Sequence, residues 1–346
     1  MRSGAGWFKI FAMIVESRAP NRILDIGGWT DTHFAKTGRV LNFAVSLFAR
    51  ATLRTRKKPG IEINAVDYGD RFQIDDIIKA RYGTQFDLLL AAAKKMPVKS
   101  GLEITISADV PPGCGTGSSA AISVALLLGL ARLGKTALSS GELARLAHNL
   151  ETEELRLESG IQDQVSASFG GINFIEIDHY PQFLVSPLNL SPELVFELES
   201  SLLLVYEGKG HLSSDVHKSV IERMKAGDKE MKEIFSELAG CAEKAKEALL
   251  LGRLELLAEA VEKNHKLQKS LHPEITTPRF KEIEKISRGL GAVAVKINGA
   301  GGGGSMTIIA SPGARPRIER ALKDKGFRVL NFTIAFQPAS AWVCNP

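Results

Sequence analysis

The 346-residue chain has only three cysteines, Cys114, Cys241 and Cys344, widely spaced and with no CxxC pair. This excludes a disulfide framework and argues against a structural zinc site, and a reducing, cytoplasmic setting is the expectation. Long apolar runs are also missing. The longest, Ala120–Leu128, is too short to span a bilayer, and the N-terminal stretch MRSGAGWFKIFAMIVESRAP lacks a signal-peptide core and a small-residue cleavage site. Nor is there an excess of one charge: 44 Lys and Arg against 39 Asp and Glu leave +5. The basic residues gather in Arg50–Lys58, where they alternate with apolar ones as on one face of a strand. Nucleic acid and membrane are therefore not expected as partners, whereas a small polyanion such as a nucleotide fits. Internal repeats are absent, and the only low-complexity piece is Gly301–Gly304.

What is present is an ordinary soluble composition, 44% hydrophobic and 24% charged, on a chain long enough for two domains. The first half reads as strand-rich, with strands over Met13–Ala19, Arg22–Ile26, Ala44–Thr55, Gly101–Ala108 and Gly171–Ile177. Helices are expected over Thr84–Lys95, over Ser118–Arg132, which is apolar almost all round and so buried, and over Gly141–Leu157 behind a Ser139/Glu142 capping box. In the second half, Ser213–Gln268 has helical spacing broken by Gly227, Gly240 and Gly252, and Pro278–Arg288 continues it. Strands are expected at Leu202–Tyr206, Ala292–Ile297, Met306–Ile309, Arg328–Leu330 and Ala341–Val343, with a helix near Pro316–Asp324. The composition shift at residues 188–200 marks a boundary between segments 1–195 and 196–346.

The most informative stretch is ADVPPGCGTGSSAA, Ala108–Ala121. A strand ends, three spaced glycines follow, and two serines open a long helix. Glycines let a backbone approach an anion, the free N–H groups and dipole of a helix start favour phosphate, and Ser118 and Ser119 offer hydroxyls to phosphate or Mg²⁺. Just downstream, Gly129–Thr136 reads GLARLGKT, a literal P-loop pattern. It falls inside a helix already begun at Ser118, and the next helix caps at Ser139, too late for Lys135 and Thr136 to occupy its first turn. Gly134 reads instead as the end of the helix.

Two further segments, RAPNRILDIGGWTDT (Arg18–Thr32) and KINGAGGGGSMTIIA (Lys296–Ala310), stand on either side of PPGCGTGSSAA. In this order the three resemble the motifs of the GHMP kinases, over nearly the whole chain. GGWTD and ESGIQDQVSASFGGINFIEI (Glu158–Ile177) resemble most the sugar-kinase branch: heptose 7-phosphate kinases, fucokinases and, more distantly, galactokinase. Thr116 departs from the family, which usually has Leu there, at a position expected to pack rather than react. The resemblance implies an α+β fold of two domains, the N-terminal one like ribosomal S5 and binding ATP, the C-terminal one ferredoxin-like, with ATP, Mg²⁺ and a sugar meeting between them.

It also implies roles. Asp163 matches the aspartate that takes or orients the sugar hydroxyl proton, and Arg22 the basic residue paired with it. Pro112, Gly113, Gly115, Gly117, Ser118, Ser119 and Ala120 match the phosphate loop, with Ser118 or Ser119 and Glu151 toward the metal and Glu154 the rival of Glu151. Asp31 matches a sugar-hydroxyl ligand. Gly28, Trp29, Gly171, Gly301 and Gly302 are placed around the substrate, Trp29 being as much a wall residue as a stacking platform. His211 and His217 flank a Ser-Ser-Asp stretch where surface histidines are the commoner case, and Cys114 reads as a small filler rather than a reactive thiol. Three competing readings are a decarboxylase of the same fold, which lacks the GIQDQ context, another small-molecule kinase of the family, and a non-catalytic sensor of ATP and sugar, which intact Asp163 and Arg22 argue against. A homodimer is left open.

Overall fold

The computed structural model describes residues 13–96, 101–208 and 214–344. In chain order the first part contains β1 (Ile14–Ile26), β2 (Gly38–Arg56), β3 (Ile61–Ala65), β4 (Asp70–Ile74), α1 (Asp87–Lys95), β5 (Gly101–Ala108), α2 (Ser118–Leu133), α3 (Ser140–Asn149), α4 (Gln162–Phe169), β6 (Ile172–His179) and β7 (Gln182–Pro187). After α5 (Pro192–Ser201) come β8 (Leu202–Tyr206), α6 (Ser214–Lys225), α7 (Lys229–Leu250), α8 (Leu254–Leu271), α9 (Pro278–Gly289), β9 (Ala292–Ile297), β10 (Ser305–Ala310), α10 (Arg315–Asp324), β11 (Arg328–Leu330) and β12 (Ser340–Cys344).

Two sheets organise the molecule. The first runs β12-β1-β2-β5-β3-β4, with β6 on the first half of β2 and β7 on β6; the second is antiparallel, in the order β11-β8-β10-β9. β12 pairs with β1 from Ile14↔Cys344 to Arg18↔Ser340, so segment 196–346 adds an edge strand to the sheet of segment 1–195. The two strands read at Met13–Ala19 and Arg22–Ile26 are one, interrupted by a register shift at Pro20/Asn21. A proline that cannot donate to the ladder is tolerated at such a bulge. The segment 188–200 contains α5, whose Ser191 hydroxyl accepts from Leu194 N–H with Pro192 in the first turn.

The buried face of the first sheet is covered by α2. Its apolar circumference is explained by burial on all sides, from Ala121 to Leu130, and a Cβ at Gly129 would stand 2.6 Å from the Leu53 side chain and 2.8 Å from Ser17 Oγ. The P-loop look-alike is therefore the last turn and cap of α2: Gly129 packs on the sheet, and Gly134, just past the helix end, bonds its N–H back to Leu130 O at 2.9 Å. We expect Lys135→Ala to leave nucleotide affinity within about twofold of the parent by calorimetry, as for a surface substitution distant from any site.

Helix α3 opens on the expected capping box, both Ser139 and Glu142 bonds being present, but it stops at Asn149. A π-turn, Leu150–Glu154, follows and changes the phase of the side chains. Glu151 turns inward and is buried, while Glu153 and Glu154 stay exposed.

Candidate active site

Four pieces of backbone converge between the sheets. The second half of β1 runs beside the glycine-serine loop, Arg22 N–H donating to Thr116 O at 2.9 Å. In that loop Gly113, Gly115 and Gly117 all adopt left-handed φ, from 69° to 75°, and Gly117 is the residue from which α2 starts. The third glycine segment lies against the loop. A Cβ on Gly304 would meet Cys114 O at 2.8 Å and Gly113 O at 2.9 Å, one on Gly115 would meet Asn298 O at 2.8 Å, and one on Gly299 would meet Gly115 O at 3.0 Å. The polyglycine run thus answers to backbone packed on backbone. Gly301 is filled in the same way by Ile275, and Gly302 N–H bonds to Ile275 O at 2.9 Å.

Helix α4 brings Asp163 to this point. Arg22 Nε donates to Asp163 Oδ1 at 2.8 Å and Nη2 to Oδ2 at 3.3 Å, while Nη1 bonds to the carbonyl of Gly115. Burial opposes the charge of Arg22, but Asp163 and then Asp25 outweigh it and raise the guanidinium above its usual range. The pair expected from the resemblance is therefore formed across 141 positions of sequence. The ideal Cβ position of Gly117 stands 3.1 Å from the Asp163 carboxyl carbon, so this carboxylate abuts the glycine loop.

Two more acids face Asp163. Asp31 is buried and accepts from Gln162 N–H at 3.0 Å, at the start of α4. Burial pushes its carboxyl up to about 6, against that N–H, with Asp163 adding to the rise. Burial likewise pushes Glu151 up to about 7, opposed by Ser159 and reinforced by Asp163, and its Oε1 has no hydrogen-bond partner. Glu154 instead accepts from Tyr82 OH on the exposed side, 2.6 Å away. An orphaned buried carboxylate oxygen beside a second carboxylate fits a hard cation. Among the described residues no three His, Cys, Asp or Glu side chains form a metal cage. Ser118 is half-buried and Ser119 exposed at the start of α2.

Other expected positions resolve differently. Thr116 and Cys114 are fully buried, and burial raises the Cys114 thiol, as filler residues require. Trp29 is buried in the cluster of the second sheet, its ring centroid 4.8 Å from that of His217 in an edge-to-face contact. The close approach allowed by Gly28 is to Asp25 and to Gln162 Nε2. Gly171 follows the C-terminal end of α4, whereas Asp163 is at its start. The N–H of Gly171 donates to Ala335 O and its carbonyl accepts from Ala44 N–H, at the end of α4 opposite Asp163. A left-handed φ of 73° after the helix explains its glycine. Pro112 is exposed and Ala120 is buried within α2, while His211 lies outside the described residues.

Residues missed from sequence are Asp25 and Lys296, both buried, with Lys296 Nζ 2.8 Å from Asp25 Oδ1. Burial draws the Lys296 ammonium below the usual lysine range, opposed by Asp25. Their signal was a charge embedded in an apolar strand, RILDI and AVAVKI. Tyr180, whose OH lies 2.6 Å from His148 Nε2, also borders the acidic group and was not singled out.

The raised carboxyl of Asp31 has a sign that can be tested. Its folded value of about 6 exceeds the unfolded 3.8, so its contribution to stability is full below about pH 4 and is lost as pH rises through about 6. Asp31→Asn keeps an acceptor for Gln162 N–H and should unfold at higher temperature than the parent at pH 8, by several degrees, but not at pH 4. Thermal unfolding at both pH values checks this, and equal differences at the two would refute it.

Residues 84–171 match the family described as GHMP kinases N terminal domain, and residues 245–328 match GHMP kinases C terminal. The chain is similar to D-glycero-alpha-D-manno-heptose 7-phosphate kinase of Campylobacter jejuni, with 28% identity over 95% of this chain and 98% of that protein. It is also similar to the bifunctional fucokinase/GDP-fucose pyrophosphorylase of Arabidopsis thaliana, 29% identical over 84% of this chain and 29% of that protein. Among solved structures, a D-glycero-D-manno-heptose 1-phosphate kinase from Bacteriodes thetaiotaomicron superposes with a TM-score of 0.78 at 25% identity, covering 96% of this chain and 100% of the other.

Proposed function

Because the chain belongs to the GHMP kinase family and has its two-domain α+β fold, we propose that it is an ATP-dependent sugar kinase acting on the anomeric hydroxyl of a heptose phosphate or a related sugar. One observation carries this reading beyond kinship: a carboxylate clamped by a buried arginine abuts the glycine loop at the start of a long helix. Phosphoryl transfer asks a protein for little else than phosphate positioning, charge neutralisation and an oriented hydroxyl.

In this reading the N–H groups of the 113–119 loop and the start of α2 bind the nucleotide phosphates. Asp163 accepts the proton of the attacking sugar hydroxyl. Arg22 orients Asp163 through two hydrogen bonds and presents positive charge toward the transferred phosphoryl group. Glu151, with Ser118 or Ser119, would hold Mg²⁺, which when bound neutralises phosphate charge. Asp31 accepts hydroxyls of the sugar from the turn after Gly28. In Asp31→Ala we expect KM for the sugar to rise at least about tenfold while KM for ATP moves less than about twofold. Equal shifts would reduce Asp31 to an anchor for the start of α4.

The deciding experiment measures ADP release with a panel of free and phosphorylated hexoses, deoxyhexoses and heptoses. Turnover with one class identifies the substrate. Binding of ATP and sugar without ADP release would instead support a sensor.

A further inference from the structure

Arg22 stands between two carboxylates. Its Nε is 2.8 Å from Asp163 Oδ1, and its Nη2 is 4.0 Å from Asp25 Oδ2. Residues three apart on a regular strand point to opposite faces, so Arg22 and Asp25 would not meet in an undistorted β1. They meet because the β1–β2 register slips between Ile23 and Ile26. Leu24 takes a left-handed φ of 50° there, and its N–H is held by Asn298 Oδ1 at 3.2 Å. Such bulges re-aim side chains beside sites.

This geometry creates a competition, because a buried carboxylate beside Arg22 would draw the guanidinium off Asp163 unless its charge were met elsewhere. It is met from the second domain. Lys296 on β9 is wholly buried and places Nζ 2.8 Å from Asp25 Oδ1, 3.2 Å from Gln268 Oε1 and 2.9 Å from Ile297 O. Three acceptors are the full complement of an ammonium group. Gly299 N–H, in the third glycine segment, takes Asp25 Oδ2 at 3.1 Å. On the other side, Gln268 and Asn264 of α8 bond to Gly299 O and Gly27 N–H, both at 2.7 Å, and so tie the third and first motifs to one helix.

We propose that Lys296 is a positioning residue for phosphoryl transfer: by engaging Asp25 it leaves Arg22 to Asp163, so the second domain sets the alignment of the catalytic pair. This rests on the kinase reading above. It makes an asymmetric prediction, since removing either member leaves a buried unpaired charge and costs stability, but only one removal frees a rival for Arg22.

The test is a double-mutant cycle on the full chain with the best sugar from the panel. Lys296→Met should lower kcat about a hundredfold, the cost of a misaligned catalytic group, with KM for ATP and sugar within about threefold. Asp25→Asn should lose a similar number of degrees of thermal stability but only a few-fold in kcat, because Arg22 then has Asp163 alone. The double variant Asp25→Asn/Lys296→Met should recover most of kcat. Nitrogen-15 NMR of the Arg22 Nε–H, which needs no substrate, should report a changed environment in Lys296→Met and a near-parental one in the double variant. Equal kcat losses in the two single variants, or a double variant no better than Lys296→Met, would overturn the proposal. If Lys296→Met fails to fold, a double variant that folds but stays as inactive as Asp163→Asn overturns it equally, and an active one supports it. An unchanged Arg22 signal in every variant refutes the coupling whatever the substrate, whereas a parent enzyme inactive on every sugar refutes the kinase reading instead.

Discussion

Asp163→Asn is expected to lower kcat at least about a hundredfold while ATP and sugar still bind, since general bases contribute about 10²–10⁴. The substitution preserves volume and leaves an amide oxygen for Arg22 Nε, which donates at 2.8 Å in the parent. What it removes is the acceptor for the sugar proton. Steady-state kinetics with calorimetric titration of both ligands is the measurement. A variant keeping more than about a tenth of the parent kcat would show that Asp163 does not act as the base. The neighbouring acids are not ready substitutes, because Glu151 and Asp31 are both buried.

Gly117→Val carries the other large effect, and it strikes two functions at once. Gly117 sits at φ 72°, where an L side chain costs roughly 1–2 kcal/mol, and a β-branched one is worse placed still. A Cβ there stands 3.1 Å from both Cγ and Oδ2 of Asp163. The added methyls would therefore push on the carboxylate as well as bar phosphate from the loop. A folded variant should lose at least about tenfold in nucleotide affinity and a further large factor in kcat. Gly117→Ala, with less bulk, should show the same pattern at smaller size. Unchanged nucleotide binding in the valine variant would mean that the 113–119 loop is not the phosphate site.

Much of the fold was legible because its signals are local. The capping box at Ser139, the all-round apolar α2 and the alternation of Gly101–Ala108 each depend on residues within one or two turns of each other, and each element formed where expected. The same holds for the rejection of GLARLGKT, since a helix begun at Ser118 leaves it no strand to follow. The helix expected to reach Leu157 breaks into α3 and a π-turn, a departure that no local propensity announces. Yet that turn buries Glu151 and exposes Glu154, which sequence left as rivals.

The ingredients of the candidate site are written in local patterns: three spaced glycines before a serine-led helix, Asp163 in GIQDQ, Arg22 within the first motif, and a polyglycine run near the C-terminus. Which of them meet is set by the packing of distant segments. Arg22 and Asp163 are 141 positions apart, and Lys296 and Asp25 are 271 apart. No periodicity connects residues at such separations. The face that Asp25 presents depends on a bulge held by Asn298, and Gly171, equally plausible in sequence, is drawn to the far end of α4 by Ala335 and Ala44. The difference is one of range. Propensity, capping and glycine freedom act over a few residues, whereas the pairing of buried charges is imposed by which surfaces pack, and a carboxylate or ammonium withdrawn from water must find its partner wherever the packed chain has brought one.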